Sequence, residues 1–103
     1  MDSKYTLEIT IEARQDLDLI YQYIKQTSLS EKVAIKSIKH ILKQIRTLER
    51  FPKRNALVKG YTQLRQLHVY TYTVLYLTYE RERSVVIQRI FSDYTDWTNS
   101  IKT

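Results

Sequence analysis

A chain of 103 residues is long enough for one hydrophobic core, so we expect a single domain spanning residues 1–103. Hydrophobic residues make up 43% and charged residues 27%, which is typical of a soluble globular protein and argues against disorder, while the absence of Cys excludes disulfides and thiolate metal sites. The formal net charge of +6 favours an anionic partner, and two histidines are too few for a zinc cluster, so no metal and no cofactor are expected.

The N-terminus and the hydropathy of the chain bear on its location. The first ten residues contain no long apolar core, and no apolar run reaches the ~20 residues that a membrane span requires. We therefore expect neither a signal peptide nor a membrane partner, and we expect the protein to be cytoplasmic.

The first half of the chain predicts a short strand followed by two helices. Hydrophobic and polar residues alternate over residues 5–9, as in a strand with one buried face. Thr10 is a candidate N-cap for an amphipathic helix over residues 11–26, and Ser30 is a candidate N-cap for a second helix that ends near Arg50. Because only about four polar residues separate them, the helices should form an antiparallel hairpin.

The second half is dominated by a sheet-forming run over residues 64–91. From residue 69 to residue 79 nearly every side chain is β-branched, aromatic or aliphatic, and no Gly or Pro interrupts, which predicts one long strand. The charged residues 80–83 predict a turn, after which residues 85–87 should fold back as the second strand of a hairpin.

Shorter segments flank this sheet. Phe51 and Pro52 should end the second helix, because Pro disfavours a helical residue before it. A basic loop follows at residues 53–55, and residues 57–60 predict a brief strand or turn. Apolar residues spaced by three and four over residues 94–101 predict a short C-terminal helix. The predicted fold is α+β: an N-terminal strand and an antiparallel helical hairpin packed on a twisted, mostly antiparallel sheet, with that final helix.

One face of the second predicted helix carries only positive charge. Its cations are spaced by four and three residues, and they are Lys32, Lys36, Lys39, Lys43, Arg46 and Arg50. This spacing places them on one stripe opposite the apolar face, and no acid lies between Lys32 and Glu49 to neutralise them. The cationic stripe fits either a solvated helix face or a binding surface. Nearby loop cations extend the same charge, namely Lys53, Arg54 and Lys59.

A second candidate group mixes cations and aromatic residues on the predicted sheet and the C-terminal helix. It comprises Arg65, His68, Tyr70, Tyr72, Tyr76, Arg89, Tyr94 and Trp97. Such mixtures bind phosphates and stack on bases in single-stranded RNA sites. Tyr residues at alternate strand positions also pack one face of a sheet, and this reading is favoured over stacking. The sequence contains no Gly-rich phosphate loop and no Ser-centred nucleophile motif.

The order of these elements and three stretches of sequence carry a family resemblance. The stretches are ARQDLDLIYQYI, TLERFP at the end of the second helix, and RQLHVYTYTVLYLTYERERSVVIQRIF. They resemble the patterns A-x-x-D-L-x-x-I-x-x-Y-I, L-x-x-x-P and R-x-L-x-V-x-x-Y-x-V-x-Y of the RelE/ParE superfamily of toxins from toxin–antitoxin modules. The resemblance covers nearly the whole chain and implies the α+β fold given above.

The resemblance also implies two possible targets, because RelE-like members cut messenger RNA in the ribosome and ParE-like members inhibit DNA gyrase. RelE-like nucleases carry cations where this chain has Thr73, Ser92 and Asp93, and Trp97 stands where the family often has a Tyr. The resemblance therefore favours a ParE-like toxin that binds gyrase without chemistry. Two alternatives stay open: a ribosome-dependent ribonuclease that acts on mRNA through Arg65, His68 and Arg89, and a degenerate toxin that only binds its antitoxin.

The partners implied by the resemblance are a cognate acidic antitoxin and gyrase, with operator DNA contacted only through the antitoxin complex. We expect the antitoxin to cover the cationic stripe. Target or nucleic-acid binding is assigned to Lys53, Arg54, Lys59, Arg65, Tyr72, Arg89, Tyr94 and Trp97.

Overall fold

The computed structural model describes residues 4–93, and the predicted C-terminal helix, with Tyr94 and Trp97, lies outside the described residues. The α+β fold predicted from the sequence is confirmed, since a helical hairpin packs on a four-stranded sheet. In chain order the elements are β1 (Thr6–Ile9), α1 (Ile11–Ser28), α2 (Glu31–Arg46), a 3₁₀ turn (Thr47–Glu49), β2 (Leu64–Val69), β3 (Tyr72–Tyr79) and β4 (Ser84–Ser92). Within residues 4–93, neither helix is long and apolar enough to cross a membrane.

Both helices begin at the side-chain caps expected from the sequence. The Thr10 hydroxyl accepts a hydrogen bond from the Ala13 amide at 3.1 Å, and the Ser30 hydroxyl accepts one from the Val33 amide at 3.2 Å. The prediction that the second helix continues to Arg50 is wrong, because α2 ends at Arg46 and tightens into the 3₁₀ turn. This tightening satisfies carbonyl groups that the last turn of an α-helix leaves unpaired.

The sheet has the strand order β1-β4-β3-β2, with β1 parallel to β4 and the other pairs antiparallel. β1 pairs only with the first half of β4 and ends where Ile9 lies beside Ile87. The edge of β4 beyond Ile87 is therefore left for α1 to cover, and the Thr10 hydroxyl donates to the carbonyl of Gln88 at 2.8 Å there. A register shift opposite Leu75 and Tyr76 marks a bulge in β4 near the same point.

The prediction of a single strand over residues 69–79 is wrong, because the run contains a hairpin turn. β2 ends at Val69, Tyr70 adopts a left-handed conformation with φ 55°, and β3 begins at Tyr72. A left-handed conformation is unusual for a bulky residue and needs support from its surroundings. The Tyr70 ring packs against the ring of His40 on α2, with 4.6 Å between ring centroids. The structure therefore has three strands where the sequence pattern predicted two.

The helical hairpin covers one face of the sheet and forms the main core there. The largest of its fully buried side chains are Tyr76, Ile41, Ile45, Leu48 and Ile87. A smaller apolar cluster lies on the other face, which we call the open face, and Val58 from the loop after α2 packs on it. This loop also pairs with β2, since the Val58 amide donates to the Leu64 carbonyl at 2.8 Å.

Candidate functional site

The cationic stripe lies on the solvent side of α2. All six of its cations are exposed, five on the helix and Arg50 just after the 3₁₀ turn. The buried residues Ala34, Ile41 and Ile45 define the opposite side of the helix. Along residues 4–93, no acidic side chain pairs with the four lysines of the stripe or with Arg46. The stripe therefore presents a positive potential to solvent, and its use as an antitoxin surface stays a prediction.

The loop cations differ from one another in their surroundings. Lys53 forms an ion pair with Glu80 in the turn between β3 and β4, and this hydrogen bond lowers the pKa of Glu80. The guanidinium of Arg54 lies 5.5 Å from the centroid of the exposed Phe51 ring, while Lys59 is exposed. Of these three cations, Lys53 is thus partly neutralised by the fold.

Arg65 and Tyr76 hold the loop that follows α2. They are direct partners across β2 and β3, which puts both side chains on the helix-covered face. The Arg65 Nη1 donates to the carbonyl of Asn55 at 2.7 Å. The Tyr76 hydroxyl donates to the carbonyl of Pro52 at 2.6 Å and accepts from the Asn55 Nδ2 at 3.2 Å. Burial raises the pKa of Tyr76 above its ordinary value.

Arg89 is held by an acid that the sequence reasoning did not identify. Asp16 on α1 reaches the uncovered edge of β4 and accepts from Arg89 Nε at 2.8 Å and Nη2 at 3.1 Å. The same carboxylate accepts from the Ile90 amide at 2.8 Å. This bidentate pair raises the pKa of Arg89, and the Asp16 side chain is only 10% exposed. Arg89 therefore helps to fasten α1 to the sheet.

His68, Thr73 and Asp93 form a hydrogen-bonded chain on the open face. The buried Thr73 hydroxyl donates to Asp93 Oδ1 at 2.5 Å and lies 3.1 Å from His68 Nδ1. Because the Thr73 hydroxyl donates its hydrogen bond to Asp93, the hydroxyl oxygen can accept a hydrogen bond from Nδ1–H of His68. In this tautomer of the neutral ring, Nε2 is the acceptor, and the His68 residue is exposed. In the sequence, Thr73 and Asp93 were noted only because they stand where RelE-like nucleases carry cations. Their hydrogen bond to each other was not predicted.

The three residues of the nuclease alternative do not converge. Arg65 lies on the helix-covered face, whereas His68 and Arg89 lie on the open face. β3 separates the strands of His68 and Arg89, so two strand spacings of about 5 Å lie between them. Among residues 4–93 there is also no group of three or more His, Asp or Glu side chains that could hold a metal ion.

Tyr72 lines an apolar groove between α1 and the tip of the β2–β3 hairpin. The groove has a volume of about 440 Å³, and Leu19, Tyr23 and Ser92 also line it. Burial raises the pKa of Tyr72. Leu19 and Tyr23 are 68% and 62% exposed and one helical turn apart, so they form an apolar strip separate from the buried face of α1. The four-residue spacing of Leu19 and Tyr23 in the sequence could have indicated this groove, because it places both side chains on one face of α1.

A second concave surface, which we call the basic cleft, lies at the C-terminal end of α2. It has a volume of about 380 Å³, and the charged and aromatic residues that line it are Lys4, Lys43, Arg46, Glu49, Arg50, Phe51 and Arg54. It brings the end of the cationic stripe together with a cation of the loop. The sequence reasoning assigned these two sets of cations to different partners.

Comparison with known protein families gives a match over most of the chain. A family model described as the ParE toxin of the type II toxin–antitoxin system parDE matches residues 7–97. No curated protein matches the chain.

Several solved structures are similar to the chain. A chain of the chromosomal ParDE TA system from P. aeruginosa is 20% identical with a TM-score of 0.74, covering 88% of this chain and 98% of that chain. A chain of the RelBE2 toxin–antitoxin complex from Mycobacterium tuberculosis is 23% identical with a TM-score of 0.59, and the coverages are 86% and 91%. The free E. coli toxin RelE with two arginine-to-alanine substitutions is 13% identical with a TM-score of 0.62, covering 94% and 92%. These likenesses show a shared fold.

Proposed function

The chain belongs to the ParE toxin family of type II toxin–antitoxin systems, and from this we propose that it arrests growth by binding DNA gyrase and is neutralised by a cognate acidic antitoxin. The family match over residues 7–97 is the observation that carries the proposal. Operator DNA would be contacted only through the toxin–antitoxin complex.

The positions of the candidate nuclease residues support inhibition by binding. General acid–base catalysis needs groups that converge on one reacting atom. Arg65 is bonded to the loop carbonyl of Asn55, and Arg89 is bonded to Asp16. Because two of the three residues serve the fold, the geometry favours a toxin that acts without cleaving its target.

Growth arrest and gyrase activity test the proposal directly. Expression of the chain alone should arrest growth, and the purified protein should inhibit supercoiling of relaxed plasmid by gyrase in the presence of ATP. The control is relaxation of supercoiled plasmid by a type I topoisomerase, which should be unaffected. Intact supercoiling together with cleaved ribosome-bound messages would contradict gyrase as the target.

The antitoxin proposal rests on the cationic stripe and the apolar groove. An acidic segment with a few apolar side chains would complement the charge of α2 and fill the groove beside Tyr72. The probe is the small acidic protein expected from the neighbouring reading frame. Lys36→Gln combined with Lys39→Gln should weaken its binding about 10-fold at low salt and less at high salt. Lys59→Gln is the single-charge control outside the stripe, and lack of a neighbouring acidic protein would contradict the proposal.

The hydrogen-bonded chain on the open face is the specific observation that favours a second candidate, the ribosome-dependent ribonuclease. Thr73 is bonded to His68 through Nδ1, and the exposed neutral ring could accept a proton from a ribose hydroxyl at Nε2. His68→Gln should then abolish cleavage of ribosome-bound message while leaving the melting curve unchanged. Absence of cleavage by the wild-type chain would remove this candidate, and cleavage that survives His68→Gln would remove the role of His68. A folded chain that is harmless when overexpressed would instead indicate a degenerate toxin that only binds its antitoxin.

A further inference from the structure

The basic cleft combines a high density of cations with an exposed aromatic ring. It lies where α2 ends and the chain turns back through Pro52, so that side chains from the helix end, the 3₁₀ turn and the following loop face one concavity. Its volume of about 380 Å³ falls in the range of about 300–1,000 Å³ that ligand sites occupy. Helical spacing alone places Lys43, Arg46 and Arg50 along a stripe. The turn of the chain after α2 adds Phe51 and Arg54 beside them and makes the surface concave.

The charge of the cleft is strongly one-sided. Five cations line it, and of the described residues around it Glu49 is the one acid. Glu49 is paired with Lys4, with 3.7 Å between their charged atoms, and its side chain is 22% exposed. Lys43, Arg46 and Arg54 are exposed and have no ion pair within residues 4–93. An anion with several charges would therefore be attracted to this surface.

Phe51 adds a flat apolar platform to this charge. The ring is 56% exposed. The Arg54 guanidinium lies 5.5 Å from its centroid, within the range of a cation–π contact. Aromatic rings next to arginines on a basic groove are the arrangement with which proteins stack bases while binding the backbone of single strands.

We propose that the basic cleft binds single-stranded nucleic acid, with backbone phosphates on Lys43, Arg46 and Arg54 and a base stacked on Phe51. An acidic peptide would also complement the cations. Carboxylates, however, leave the exposed ring without a planar partner, whereas a nucleotide supplies both phosphate and base. The inference does not depend on gyrase being the target, and an antitoxin that covered the whole cationic stripe would also mask the cleft.

Fluorescence anisotropy with a labelled oligothymidine of about 12 nucleotides tests this binding in the full chain. We expect a dissociation constant on the order of 10 µM at about 50 mM salt, and a slope of about −2 in the plot of log K against log salt, which corresponds to about three neutralised phosphates. No binding at about 50 mM salt would overturn the proposal.

Charge-matched variants separate the cleft from the net charge of the chain. Lys43→Gln with Arg46→Gln should weaken binding about 10-fold and make the salt slope shallower by about 1 to 2. Lys32→Gln with Lys36→Gln removes the same charge from the other end of the stripe and should change affinity less than about 2-fold. Equal losses in the two pairs would overturn the proposal, because the binding would then follow net charge alone.

The aromatic platform is tested separately. Phe51→Leu should weaken oligothymidine binding about 10-fold without changing the salt slope, because stacking involves no counterion release. All these substitutions lie at exposed positions, so each variant should keep the wild-type circular dichroism spectrum and melting curve. Two outcomes would overturn the proposal: unchanged affinity in Phe51→Leu, or tighter binding of an oligoglutamate peptide of equal charge that shows the same losses in the cleft variants.

Discussion

Polar side chains on the sheet and on the outer face of α2 differ in what surrounds them. On the sheet, Arg89 is bonded to both carboxylate oxygens of Asp16 from α1, and Tyr76 is bonded to the Pro52 carbonyl. On α2, Lys36 extends into solvent with no acidic partner among residues 4–93. The cations of this chain therefore have two different roles, one within the fold and one at the surface.

This difference predicts whether a substitution will change the stability of the fold or the binding of a partner. A polar group removed from water costs free energy when it loses its hydrogen-bonding partner, so changes on the sheet should lower stability. A solvated cation gives up little when it is replaced by a neutral polar residue, so changes on α2 should alter binding and leave stability nearly unchanged. Positive charge in the sequence alone does not distinguish these two cases.

The largest effect on stability is expected for Asp16→Ala. The substitution leaves the Ile90 amide without its acceptor and Arg89 without its counter-charge. We expect the free energy of unfolding to fall by about 2–3 kcal/mol, measured by urea denaturation. The exposed Asp18 on the same helix provides the control, and Asp18→Ala should cost less than about 0.5 kcal/mol. Similar losses in the two variants would contradict the role assigned to Asp16.

A smaller loss is expected for Tyr76→Phe, which removes the hydroxyl that joins β3 to the loop after α2. The Pro52 carbonyl and the Asn55 amide lose their partner, so the free energy of unfolding should fall by about 1–2 kcal/mol. Because burial raises the pKa of Tyr76, its neutral form contributes stability below the ordinary value of about 10 that is lost at higher pH. Tyr76→Phe should therefore show a flatter alkaline limb, and the exposed Tyr79→Phe should match the wild type.

The helices could be predicted because their signals are local. The caps at Thr10 and Ser30 and the 3.6-residue periodicity lie within the segments that they organise. The turn at Tyr70 could not be predicted in this way, because no Gly, Asn or Pro marks it. It is held by stacking on His40, a residue on another element, and only the assembled fold brings the two rings together.

The candidate site shows the same division. The cationic stripe follows from helical spacing, so the sequence was sufficient to place it. Asp16 and Arg89 are 73 positions apart and meet because β1 ends early and leaves an edge of β4 for α1. The basic cleft likewise depends on how the chain turns after α2, which residue spacing does not determine. Long-range topology, and not residue type, decides which cations are held by the fold.

A much smaller change is expected for neutral substitutions on α2. Lys36→Gln with Lys39→Gln should change the free energy of unfolding by less than about 0.5 kcal/mol, with a slight gain at low salt because like charges one turn apart repel. Urea denaturation at low and high salt measures this change, and Arg89→Gln serves as the contrast because it breaks a paired cation. A loss above about 1 kcal/mol in the double variant would mean that the stripe also supports the fold.

The smallest effect is expected for Lys53, a loop cation whose acidic partner, Glu80, lies at the surface. Its hydrogen bond lowers the pKa of the exposed Glu80, so any stability from this pair is present at neutral pH and lost as the pH falls below the ordinary value of about 4.3. Glu80→Gln should therefore differ from the wild type only above that pH, and the difference should vanish in high salt. Glu82→Gln, in the same turn, controls for the loss of charge. A difference that persists in acid or in high salt would show that Glu80 stabilises the fold through packing. The Lys53–Glu80 pair would then resemble the buried polar groups of the sheet and not the solvated cations of α2.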